Sequence, residues 1–133
     1  DKIYNDIFRE STMPNMIQYE TRAHYGDKPV PETPFFIEST VLSAGGVTEM
    51  LLQSQYGELE FLPALPSSWQ TGNIKGIRGR NACTVDIDWK DGKLVRAMIK
   101  SDNGGTYMLR YGEKTREIIL AKGETIIVNE NLR

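Results

Sequence analysis

The sequence predicts an α+β chain, helical in its first part and an antiparallel β-sandwich in its second. Two periodicities carry this. Between Thr40 and Gln55, the residues Val47, Met50, Leu51 and Ser54 fall on one stripe at helical spacing. Further on, Cys83, Val85, Ile87 and Trp89 alternate with Thr84, Asp86 and Asp88, which is the pattern of a strand with one buried face. The change of period falls at a junction. The helix is expected to end at Gly57, a short strand follows, and Pro63 and Pro66 punctuate the turn that opens the β region.

Taken in order, Ile3, Ile7 and Phe8 predict a short helix within residues 1–13, which Pro14 stops. Residues 14–34 hold Pro14, Gly26, Asp27, Pro29, Pro31 and Pro34. They read as a long irregular loop, and such loops inside a domain are usually functional or fragment-like. The helix over 40–55 has Ser39 or Thr40 to cap its start and Gly57 its end. Gly45 and Gly46 inside it each cost about 1 kcal/mol against Ala, which suggests close backbone packing against a neighbour or a ligand.

After the strand at 83–89, Lys90-Asp91-Gly92-Lys93 reads as a hairpin turn, because Asp-Gly tolerates the positive φ of a tight reversal. Leu94–Lys100 is the return strand, and Asp102-Asn103-Gly104-Gly105 turns again. Thr106–Tyr111, Ile118–Leu120 and Thr125–Val128 are further short strands, with Gly112 and Gly123 between them. Short strands at this spacing predict an antiparallel sandwich.

Composition excludes several functions. A chain of 133 residues is one domain, or one domain and part of another. Net charge is −2 with no basic stripe, so nucleic acid is not an expected partner. No apolar run approaches the roughly 20 residues of a membrane span. Cys83 is the one cysteine and His24 the one histidine. This rules out an internal disulfide and a multi-histidine zinc cluster, and it argues against a histidine-based triad. No metal and no cofactor is expected. Asp1-Lys2-Ile3 starts the chain without the succession of a signal peptide, so either a leader has been removed or the sequence is an internal piece.

Each candidate for chemistry has a plainer alternative. Glu38 follows Pro34-Phe35-Phe36-Ile37 at the start of the helix. A carboxylate there is often a dipole partner or cap. The functional alternative is a general base or substrate clamp, its pKa tuned by the apolar neighbours. Asp86 and Asp88 share a strand face. Paired carboxylates bind Ca²⁺ or do acid–base work, but alternation with an apolar stripe favours a solvated outer face. Trp69 and Trp89 are candidates for stacking on sugar rings. Trp89 is in phase with the core stripe, and Trp69 follows a Pro-Ser-Ser turn and is more open. His24 is a weak substrate-binding candidate in the proline-rich loop. Arg78 and Arg80 read as a small solvated basic spot.

One resemblance goes further. Glu49-Met50-Leu51-Leu52-Gln53-Ser54, then Leu62-Pro63-Ala64-Leu65-Pro66 with Trp69, resembles the C-terminal part of the inverting α-L-fucosidase family, glycoside hydrolase family 95. So do Gly76-Ile77-Arg78-Gly79-Arg80 and the run from Val85 to Leu94. The similarity covers roughly residues 34–112.

The resemblance implies that residues 1–56 are the terminal helices of an (α/α)6 barrel, a six-hairpin helical catalytic domain left incomplete, and that residues 57–133 are the β-sandwich domain. The chain would then be the last part of a longer exo-hydrolase that acts on terminal α-L-fucosyl or related sugars. The partners implied are an oligosaccharide or glycan and the remainder of the helical barrel, with self-association of the isolated piece and a periplasmic or secreted setting by analogy. The family's base motif, aligned without gaps, places its aspartate on Glu38 within Phe35-Phe36-Ile37-Glu38-Ser39-Thr40. Glu for Asp keeps the carboxylate and moves it by one methylene, and the family's Gly-Asn-Phe-Gly is here Ser39-Thr40-Val41-Leu42. The family's acid lies upstream of this sequence, so the 133 residues are expected to be inactive alone.

Two rivals remain at this point. One is a non-catalytic sugar-binding domain, favoured by exposed aromatics near Trp69 or Tyr107. The other is an interaction module, favoured by an apolar patch around residues 41–52.

Overall fold

A computed structural model describes residues 24–25, 28–29 and 37–133. The expected helix within 1–13 and most of the expected loop at 14–34 lie outside these residues. The chain divides into two units, Asp1–Val47 and Thr48–Arg133. In the first, β1 (His24–Tyr25) and β2 (Lys28–Pro29) form a two-stranded antiparallel pair. Helix α1 (Ile37–Leu51) begins in the first unit and ends in the second. It is the one helix among the described residues, and no barrel is seen in them.

The helix departs from expectation at both ends. It starts at Ile37, so Ser39 and Thr40 lie in its first turn rather than before it. It ends at Leu51, four residues short of Gln55, because Leu52 and Gln53 are taken as β3 (Leu52–Gln53) by β4 (Glu58–Phe61), pairing Leu52 with Phe61 and Gln53 with Glu60. The last helical carbonyls then need partners. The chain leaving β4 supplies them: the Leu62 N–H donates to the Leu51 carbonyl at 2.8 Å and the Ala64 N–H to that of Met50 at 3.2 Å. Gly57, at φ +82°, turns the β3–β4 hairpin instead of capping the helix. A Cβ added at Gly45 or Gly46 would meet nothing within 4 Å, so no close approach is built around them.

The second unit contains two four-stranded sheets. One runs β10 (Thr125–Val128), β7 (Lys93–Ser101), β6 (Cys83–Lys90), β5 (Gly72–Gly79), antiparallel throughout. The other runs β3, β4, β8 (Gly105–Tyr111), β9 (Lys114–Leu120). Here the expected antiparallel sandwich has one exception: β4 and β8 are parallel, with Leu59 opposite Leu109. Parallel neighbours need a long crossover, and three of the first sheet's four strands, β5 to β7, make that crossover.

Period two does the rest. Cys83, Val85, Ile87 and Trp89 are buried as predicted, joined by Leu94, Ala97, Ile99 and Val128 from the same sheet. Leu59, Phe61, Tyr107, Leu109, Ile118 and Leu120 come from the other sheet. Each large apolar side chain removed from water in this way contributes about 1.5–3 kcal/mol. The β6–β7 hairpin turns at Asp91-Gly92, with φ of +52° and +70°, the two positive values a type I′ turn requires.

Close fits fix two further points. The Trp89 indole N–H donates to the Trp69 carbonyl at 2.8 Å, and a Cβ at Gly72 would lie 2.4 Å from the Trp89 ring. The Tyr107 hydroxyl donates to the Asn81 carbonyl at 2.9 Å and lies 2.7 Å from the Ser101 hydroxyl, which accepts from the Gly104 N–H at 2.9 Å. That orders the buried network without leaving a polar atom unpaired.

Candidate functional site

Glu38 is the second residue of α1. His24 lies in β1. At both, the described feature is the backbone. Trp69 is half-buried, and its main chain is structural, since its carbonyl accepts from Trp89 and its N–H donates to the Pro66 carbonyl at 2.9 Å. Trp89 is core. Glu38 is thus on α1, His24 on β1, Trp69 in the segment after β4, and Trp89 on the strand Cys83–Lys90.

The two strand aspartates take the plainer of their roles. Asp88 pairs with Arg96 at 3.2 Å. Asp86 accepts from the Gly76 N–H at 2.8 Å. Gly76, at φ +76°, sits where the β5–β6 register shifts between Ile74 and Ile77, so Asp86 closes a bulge. Arg78 pairs with Asp102 at 2.6 Å and donates to the Thr84 hydroxyl at 2.5 Å, and its side chain is largely exposed. Burial raises the Cys83 thiol above its ordinary value, which makes it an inert core group. Among the described residues, no group of three or more His, Cys, Asp or Glu is placed to hold a metal ion. No helix among them is long and apolar enough to cross a membrane.

A site the sequence did not single out lies on the outer face of the second sheet. The register sets Gln53 opposite Glu60 and Glu60 opposite Arg110, one row across β3, β4 and β8. Period two puts Glu58 on the same face as Glu60. The Arg110 guanidinium grips the Glu58 carboxylate with two bonds, Nε to Oε2 and Nη2 to Oε1, the second at 3.0 Å. Such forked pairs fix both side chains. The Arg110 hydrogen bond holds the Glu58 carboxyl below the usual carboxylate range, and Glu58 in turn raises Arg110.

The β3–β4 loop rises beside this row. Gln55 is oriented there by accepting from the Ser54 N–H at 3.1 Å and donating to Glu49 at 2.9 Å. Tyr56 beside it is 86% exposed. Together Gln53, Gln55, Tyr56, Glu58, Glu60 and Arg110 line a hollow of about 290 Å³. The signal in the sequence was the alternation of Glu58 and Glu60 with Leu59 and Phe61. What hid it was the 52 positions separating Glu58 from Arg110.

The architecture defines a class first: a two-sheet β-sandwich entered directly from a helix, with a polar groove on one outer face. Comparison with known proteins gives the particulars. Residues 53–131 match the description "Glycoside hydrolase family 95, C-terminal domain". The chain is also 34% identical, over 101 residues, to alpha-L-fucosidase 2 of Arabidopsis thaliana. That alignment takes in 75% of this chain and 12% of the plant protein's length. The chain therefore belongs to glycoside hydrolase family 95 and carries its C-terminal domain.

Proposed function

We propose that this chain is the C-terminal portion of an inverting exo-glycoside hydrolase that removes terminal α-L-fucosyl or related sugars, with Glu38 as its general base. The observation that carries the reading is the family match beginning at Gln53, two residues after a helix whose second residue is Glu38. On this reading residues 1–56 complete the helical barrel and residues 57–133 form the accessory β-sandwich. In inversion one carboxylic acid protonates the leaving oxygen, while a carboxylate on the opposite face takes a proton from the attacking water. Glu38 would fill the second role. The acid would come from the part of the enzyme that this chain does not span, since the alignment covers 12% of the relative.

Val41 and Leu42, on the turn of α1 after Glu38, are 65% and 73% exposed. Apolar side chains this open at the start of a helix are what barrel neighbours would cover, so the remainder of the barrel is the partner we assign to them. A glycan is the substrate class, and an extracytoplasmic setting follows by analogy.

The deciding experiment places Glu38→Gln in the full-length enzyme and compares kcat with the thermal midpoint. A base contributes about 10²–10⁴-fold to rate, so kcat should fall by that factor with the midpoint nearly unchanged. Unchanged kcat with a lowered midpoint would leave Glu38 as a helix cap.

The non-catalytic sugar-binding alternative loses one of its expected carriers, because Tyr107 is buried. Among the described residues, the aromatic left exposed for it is Tyr56.

A further inference from the structure

We infer that the hollow over β3, β4 and β8 is a binding site for an uncharged sugar ring, with Tyr56 as its stacking surface and Gln53 and Glu60 as its hydrogen-bonding floor. The argument starts from unused capacity. The Glu58–Arg110 fork is complete in itself and makes a rigid wall. Gln53 and Glu60, one register step apart beside it, make no side-chain hydrogen bond among the described residues, and neither does the Tyr56 hydroxyl. An amide and a carboxylate side by side offer both the donors and the acceptors that neighbouring sugar hydroxyls, which both donate and accept, require.

Tyr56 supplies what a flat polar face lacks. A sugar ring has an apolar C–H surface, and an exposed aromatic ring at the rim is the group that covers it. Gly57, at φ +82°, permits the tight turn that places Tyr56 at the rim, and the Gln55 amide is tethered beside it to Ser54 and Glu49. Charge selects the class. Glu58 and Glu60 against Arg110 leave the hollow with one net negative charge, which disfavours acidic sugars and other anions. The volume of about 290 Å³ is at the lower end for ligand pockets and suits one or two rings. The assignment is independent of the catalytic reading, which concerns a different element.

The test is an amide NMR titration of this 133-residue chain with methyl α-L-fucopyranoside and, separately, with a hexuronic acid methyl glycoside. The neutral glycoside should shift the amides of Gln53, Gln55, Tyr56, Glu60 and Arg110, saturating with Kd on the order of 1 mM. Tyr56→Ala, at a residue that supports no core, should weaken this about ten-fold, and Gln53→Ala should weaken it as well. Three results would overturn the assignment: no shift at these amides under excess neutral glycoside, equal shifts in wild type and Tyr56→Ala, or preference for the acidic glycoside. The titration reads binding at this hollow and the Glu38→Gln experiment reads turnover, so this site and the role of Glu38 stand or fall separately.

Discussion

The Tyr107 hydroxyl holds three parts of the chain at one buried point: the β5–β6 turn through Asn81, the end of β7 through Ser101, and through Ser101 the turn at Gly104. Phenylalanine keeps the ring and strands those partners. An unsatisfied buried polar group costs about 1–3 kcal/mol, so Tyr107→Phe should lower stability by that amount in urea unfolding, with m unchanged. Gly72→Ala works by overpacking instead. Its new methyl would meet the Trp89 ring, and the ring is fixed by its bond to Trp69. A loss of about 1–3 kcal/mol is expected, measurable in the same unfolding series.

Glu58 adds a pH signature. Its folded pKa is depressed by Arg110, so its contribution is full above the unfolded carboxylate value and is lost as pH falls through the folded one. Glu58→Gln should therefore narrow the stability gap to wild type on the acid side and leave it widest at neutral pH. Melting curves across that range check this. A gap constant with pH would mean that the pair acts through packing alone.

At the scale of elements, local rules reached far. Strands β6 to β10 were legible from alternation and turn chemistry. The Cys83, Val85, Ile87 and Trp89 face and the Asp91-Gly92 reversal are set by neighbours in sequence. Two features were not legible, and both depend on distant partners. The helix stripe runs on through Ser54, but Leu52 and Gln53 gain ladder bonds to β4, and tertiary pairing overrides a continued helical period. The parallel β4–β8 pair has no local marker at all. The polar hollow depends on that pair, so Glu58, Glu60 and Arg110 gave no joint signal, whereas Glu38 could be singled out as a carboxylate at a helix start beside apolar residues.

The Asp86 contact to Gly76 makes a prediction at this scale. A bulge bends its strand and strengthens the local twist. Asp86→Ala should loosen the bulge without touching the core, speeding amide exchange at Gly76 and Ile77 while Ile87 and Ile99 stay protected.

For the whole molecule, the expectation is a well-built domain without an enzyme around it. The chain alone should release no nitrophenol from an aryl α-L-fucoside, because its acid would lie in the part of the enzyme it does not span. Val41 and Leu42, open on α1, should drive self-association. Sedimentation velocity should find dimers or larger species at high concentration, and Val41→Ser with Leu42→Ser should return a monomer. A monomer in the parent chain would rule out association through this helix.

The parallel pairing of β4 with β8 also sets a timetable. As the chain is synthesised, β4 emerges with only the two-residue β3 to lie against. Its other edge stays open until β8 arrives, 52 positions later by the Glu58–Arg110 bond. Meanwhile β5, β6 and β7 are free to fold as a meander of local hairpins. Closure of the second sheet is then the late, high-contact-order step. The carbonyls at the end of α1 take their partners from Leu62 and Ala64, just beyond β4, so the helix is locked only when β4 is. The last turn of α1 would therefore be held firmly only once β8 had been made and had closed over β4.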